Sequence, residues 1–157
     1  MIILQGFISG LIATILFDIF NISLSYAYGV NKPKWHLLGR YFIGYKQKKF
    51  LRKFLEEENE ENHELLWGYV IHYIIGLIYG IFYVWLNLLF FDFPSLLIAY
   101  LFGFITVLGA WCFMMPFALN LGFFASKSDK QFNILAQNLI AHFIFGTGLF
   151  IGYYISF

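Results

Sequence analysis

Three ionisable side chains stand inside long apolar runs, and any chemistry would have to gather around them: Asp18, His72 and His142. A charge at the centre of a bilayer costs at least about 2.5–3.5 kcal/mol, so each of these positions needs a partner. A carboxylate accepts two imidazole N–H bonds, and a His–Asp–His cluster would meet that need. Several uses fit such a cluster. The plainest is polar glue between helices. Proton or ion handling is another, because imidazole titrates near neutrality and burial tunes it. Metal binding by Asp18, His72 and His142 suits the ligand types, although no helix carries close paired spacing. Haem held between His72 and His142 suits a four-helix bundle. Met114 and Met115 would serve copper or haem, and equally well fill gaps at a helix end.

No nucleophile stands beside a base, and no carboxylate pair is spaced for hydrolysis, so no catalytic residue is assigned and an enzyme is not expected. Gly146-Thr147-Gly148 lies within an apolar run with no strand before it, which removes it as a nucleotide fingerprint. Cys112 is the one cysteine, so an internal disulfide and paired-Cys zinc sites are excluded.

The elements that must position these residues follow from composition. Of 157 residues, 61% are hydrophobic and 12% charged, against roughly 45–50% and about 25% in a soluble domain. This is more apolar surface than a soluble core of this size can hide. Ten Lys and Arg against nine Asp and Glu leave a net charge of +1, with no global field to recruit nucleic acid. A single-domain integral membrane protein over 1–157 is expected.

A membrane helix needs about 20 mainly apolar residues. Four stretches qualify, at about 2–28, 67–90, 95–117 and 135–156, leaving long loops at 29–66 and 118–134. They are continuous runs without strand alternation, so the expected fold is all-α: a four-transmembrane-helix bundle. The turn Phe91-Asp92-Phe93-Pro94 is short enough to force an antiparallel hairpin, with Pro94 in the first turn of the third span.

All cations fall in the two long loops: Lys32, Lys34, Arg40, Lys46, Lys48, Lys49, Arg52 and Lys53 in the first, Lys127 and Lys130 in the other. The positive-inside rule makes both loops cytoplasmic and both termini outward. The first run lacks a basic n-region, is too long for a signal h-region and carries Asp18, so it reads as a retained span. Within the first loop, Trp35, Leu38, Tyr41, Phe42 and Tyr45 recur at helical spacing with Arg40 and Lys46 near the polar side. That pattern predicts an amphipathic interfacial helix. Lys46–Lys53 should face anionic headgroups. Glu56, Glu57, Glu58, Glu60, Glu61 and Glu64 follow, and read as a solvated helical face whose acids suit the start of the second span.

Each span carries one face of small or polar residues. On the first it is Gly6, Gly10, Thr14, Asp18, Asn21 and Ser25. On the second it runs His72, Gly76, Tyr79, Gly80, Tyr83, Asn87; on the third Ala99, Gly103, Thr106, Ala110, Met114; on the fourth Asn138, His142, Gly146, Leu149, with Gly148 and Gly152 beside them. Small residues at this spacing let helix backbones approach closely. The segment His72–Gly76 also matches His142–Gly146, a weak repeat consistent with two parallel hairpins.

Several motifs resemble, in order and spacing, the small bacterial membrane proteins known as domain of unknown function 2938. They are Ala13-Thr14 with Asp18; Trp35-His36-Leu37-Leu38-Gly39-Arg40-Tyr41; Glu64-Leu65-Leu66-Trp67-Gly68-Tyr69 leading into His72, Tyr73 and Gly76; Met115-Pro116; Gly122 to Lys127; and His142 to Leu149. The resemblance covers nearly the whole chain. It implies a four-span inner-membrane protein without an assigned activity, and it singles out Asp18, Arg40, Glu64, His72, Pro116, Ser126 and His142. Arg40, Glu64, Pro116 and Ser126 would form a cytoplasmic-face motif.

Three functions stay open on this reading. One is proton, ion or small-solute handling through Asp18, His72 and His142. Another is a non-catalytic accessory or scaffold subunit in a larger membrane complex, or a homo-oligomer. The third is a haem- or metal-binding redox protein. No cofactor is required by the first two, and the bilayer is a partner in all.

Overall fold

The computed structural model describes residues 1–46 and 55–157, with 45 and 46 described by backbone alone. Among them the protein is all-helical. In chain order come α1 (Ile2–Tyr28), α2 (Trp35–Lys46), α3 (Glu64–Leu88), α4 (Leu96–Gly109) continued by a π-helical segment Ala110–Ala118, a single 3₁₀ turn Phe123–Ala125, and α5 (Gln131–Ser156). Among the described residues four helices are long and apolar enough to cross a membrane: Ile2–Tyr28, Glu64–Leu88, Leu96–Ala118 and Gln131–Ser156. The second and fourth begin at Glu64 and Gln131, a few residues before the apolar runs themselves. Helical hydrogen bonding extends past the apolar stretch because residues such as Leu65, Leu66 and Gln131 are good helix formers.

The chain divides into two compact units. The first holds residues 1–32, 73–107 and 139–157. Its core is the glycine stripes. Gly6 and Gly10 of α1 lie against Gly76, Gly80 and Ile81 of α3, and a Cβ on Gly80 would strike the backbone of Gly6 and Gly10. Gly148 and Gly152 of α5 meet Ala13 and Ser9 of α1, while Gly103 of α4 meets His142 and Gly146. Contacts this close need hydrogen in place of a side chain. Buried hydroxyls and amides stitch the same faces: Ser9 Oγ donates to the Leu149 carbonyl at 2.7 Å and Gln5 Nε2 to the Ser156 carbonyl at 3.1 Å. Outward positions such as Ile19, Ile74, Leu101 and Ile151 are exposed, as a lipid-facing surface requires.

The turn between α3 and α4 is closed by Asn87. Its Nδ2 donates to the carbonyls of Phe93 (2.8 Å) and Phe91 (3.4 Å), and its Oδ1 accepts the Ser95 N–H at 2.8 Å. Pro94 therefore precedes the helix instead of sitting in its first turn. Ser95 takes the capping position, its Oγ accepting from the Ile98 N–H.

The second unit holds residues 33–72 and 108–138. The amphipathic helix expected in the first long loop is α2. Leu37, Leu38 and Gly39 are buried, and Tyr41 and Phe42 pack on Phe113. Arg40 departs from expectation, since it is buried rather than on a polar side. The acidic run departs too: residues 55–63 form turns and irregular backbone, and Glu64 is buried. Lys48, Lys49, Arg52, Lys53 and the side chains of Tyr45 and Lys46 lie outside the described residues.

Candidate functional site

In the first unit, Asp18 is 8% exposed on the buried face of α1. It stands ten residues before the end of its helix, about 15 Å at 1.5 Å per residue. Its neighbour Phe17 presents a ring edge to His142 of α5, centroids 5.4 Å apart and planes at 81°. His142 Nδ1 lies 3.0 Å from the hydroxyl of Thr106 on α4, and that hydroxyl donates to the Gly103 carbonyl at 2.7 Å. The glycine stripes explain the approach: Gly103 lets the α5 backbone at His142 come into contact, which sets the imidazole beside Thr106.

His72 is placed within the second unit, stacked on Trp35 of α2 with ring centroids 3.9 Å apart and planes at 21°. Tyr69 tilts against the same indole. The stack depends on a close helix crossing. A Cβ at Gly68 would strike the Trp35 carbonyl oxygen, and one at Gly39 would strike the Glu64 carbonyl oxygen. The motifs Trp35–Tyr41 and Glu64–Tyr69 are thus the two halves of one α2–α3 contact.

At that crossing Arg40 and Glu64 form a two-pronged ion pair. Arg40 Nε donates to Glu64 Oε2 and Nη2 to Oε1, each at 2.7 Å, and Nη1 donates to the carbonyls of Leu55 (2.7 Å) and Glu58 (2.9 Å). Glu64 Oε2 also accepts the Glu61 N–H at 2.9 Å, from the turn just before α3. Arg40 and Glu64 are only 4% and 9% exposed. The hydrogen bonding to Glu64, opposed by burial and reinforced by neighbouring acidic charge, holds the guanidinium above its already high ordinary value. This pair ties the segment 55–64 to α2. Its chemistry is architectural: every charged atom is engaged and no acid or base is poised.

The other two positions of the expected face motif serve backbone geometry. Pro116 lies inside the π-helical segment, where the Leu119 N–H reaches back to Met114 and the Leu121 N–H to Met115. A proline supplies no N–H, and a wider turn is how the helix absorbs it. Ser126 is exposed after the 3₁₀ turn, its N–H donating to the Phe123 carbonyl, and its hydroxyl sits where a Cβ on Gly122 would fall. Four residues here have left-handed backbone: Asn120, Gly122, Phe124 and Ala125.

Arg40 and Glu64 are therefore brought together, and His142 is brought to Thr106. Sequence reasoning placed Thr106 on an inward stripe without pairing it, and read Trp35 as interfacial without giving it His72. Hydroxyl and indole partners leave no charge pattern for a sequence to reveal. Among the described residues, no group of three or more His, Cys, Asp or Glu side chains is assembled to hold a metal ion, so the metal reading of Asp18, His72 and His142 gains no support from the geometry.

No curated protein matches the chain, and no solved structure does. A family model does, over residues 7–156, its description being "Protein of unknown function (DUF2938)". The match runs through the helix crossing, the polar residues of α1 and α5 and the turns between them, and the chain belongs to that family.

Proposed function

We propose that the chain is a small integral protein of a bacterial inner membrane that handles protons, ions or a small solute through buried polar residues, Asp18 and His142 foremost. The observation that carries this reading is Asp18. A carboxylate held 8% exposed in the interior of an apolar helix costs several kcal/mol, and such residues mark ion and proton paths by default. His142 supplies a titratable ring in the same unit, touching the residue next to Asp18. The tight glycine contacts around them favour a proton or a small ion over a large solute. In this reading both termini face outward and the α1–α3 and α4–α5 loops face the cytoplasm, where their lysines and arginines belong.

Purified protein in liposomes loaded with a pH-sensitive dye tests the proposal. Under an imposed potential the wild type dissipates a pH step faster than empty liposomes, or carries Na⁺ or K⁺ in the matching tracer assay. Asp18→Asn and His142→Gln each slow that flux at least tenfold. Flux equal to empty liposomes for all three ions, or unchanged in both variants, defeats it.

A further inference from the structure

The pairing of His142 with Thr106 determines more than the position of the ring. A threonine hydroxyl has one proton to give. Thr106 Oγ1 lies 2.7 Å from the Gly103 carbonyl, three residues back on its own helix, and 3.0 Å from His142 Nδ1. Donation to a preceding-turn carbonyl is the usual state of a buried helical threonine. With its proton so placed, Oγ1 offers only lone pairs to the imidazole, and the Nδ1 side must bring the hydrogen.

We infer that Thr106 holds neutral His142 as the Nδ1–H tautomer, so that the ring exchanges protons at Nε2 alone. It is the Thr106 contact at Nδ1 that favours this tautomer. Its consequence for transfer rests on the proton-handling reading. A proton added at Nε2 gives the imidazolium, with Nδ1–H still donated to Thr106, and leaves again from Nε2 to restore the starting tautomer. Exit through Nδ1 would require Oγ1 to accept a proton while passing its own to the Gly103 amide oxygen, which is far too weak a base. His142 is thereby a one-sided acceptor and not a shuttle through both nitrogens, and Thr106 is its positioning residue.

Nitrogen NMR of full-length protein labelled with ¹⁵N-histidine in lipid bilayers reads the tautomer directly, separately from any flux. The chain has four histidines, and His142→Gln identifies the signal by its loss. At alkaline pH the expected pattern is a protonated Nδ1 and an unprotonated Nε2. Thr106→Val, which keeps shape and removes the hydroxyl, should abolish that preference, and Thr106→Ser should restore it. A wild-type ring protonated at Nε2, a ring doubly protonated under those conditions, or an Nδ1–H tautomer that persists in Thr106→Val would each overturn the inference. A correct tautomer with no flux in liposomes would leave the inference standing and remove the proton-handling reading.

Discussion

At the scale of single residues, the clearest energetic statement concerns Arg40 and Glu64. Removing one partner from a buried ion pair leaves a charge without compensation, which costs about 3–5 kcal/mol. Glu64→Gln should accordingly lower stability by about 3 kcal/mol, seen as a fall in the thermal midpoint in detergent micelles. Arg40→Lys should be destabilising as well, because an ammonium cannot span both carboxylate oxygens and also serve the Leu55 and Glu58 carbonyls. An unchanged midpoint in both variants would show the pair to be ornamental. Neither residue's role was legible from its surroundings in the chain. Arg40 sits among aromatics at helical spacing, and Glu64 closes a run of acids, so local pattern assigns both to solvent. The family resemblance marked the two positions, yet only folding brings together groups 24 residues apart. Asp18, by contrast, could be picked out at once, because an acid in an apolar run of that length stands out by its charge alone.

At the scale of elements, the glycines divide into two kinds with different expected costs. Gly39 and Gly80 are contact glycines: a methyl group at either meets backbone atoms of a neighbouring helix, which cannot move aside alone. Gly29 is a conformational glycine, ending α1 with φ of 65° and nothing within 4 Å of a Cβ. Gly39→Ala and Gly80→Ala should therefore cost several kcal/mol, and Gly29→Ala about 1 kcal/mol, the ordinary penalty for a left-handed alanine. Chemical or thermal unfolding of the three variants under one set of conditions checks the ranking. Much of this level was readable beforehand. Gly6, Gly10, Gly76, Gly80, Gly103 and Gly146 fall at helical spacing, and they are the places where helices touch. The π-helical segment was not readable, since a lone proline near a helix end fits a kink, a stop or a widened turn alike.

For the whole molecule, the distribution of charge is the testable feature. With Cys112 replaced by alanine, single cysteines at Glu57 and Ser128 should react with a membrane-impermeant thiol reagent from the cytoplasmic side only. One at Asp92 should react from the opposite side only. Labelling of Glu57 from outside and of Asp92 from the cytoplasm would reverse the proposed topology, and labelling of both from one side would show that α3 does not cross. The number of spans and their helical nature were available from composition, because four runs of this length have no stable alternative in lipid. Which side they face rests on ten cations, four of which lie among residues that are not described.

The small clasp at Asn87 bears on how such a chain enters a bilayer. Its amide satisfies the Phe91 and Phe93 carbonyls and the Ser95 N–H from within the turn, and Tyr83 donates to the Ser95 carbonyl at 3.3 Å. A connection that meets its own hydrogen-bonding needs demands little from water or from later segments. The α3 and α4 hairpin can then enter the bilayer as a finished pair, with only a handful of residues and one charge, Asp92, between its two helices.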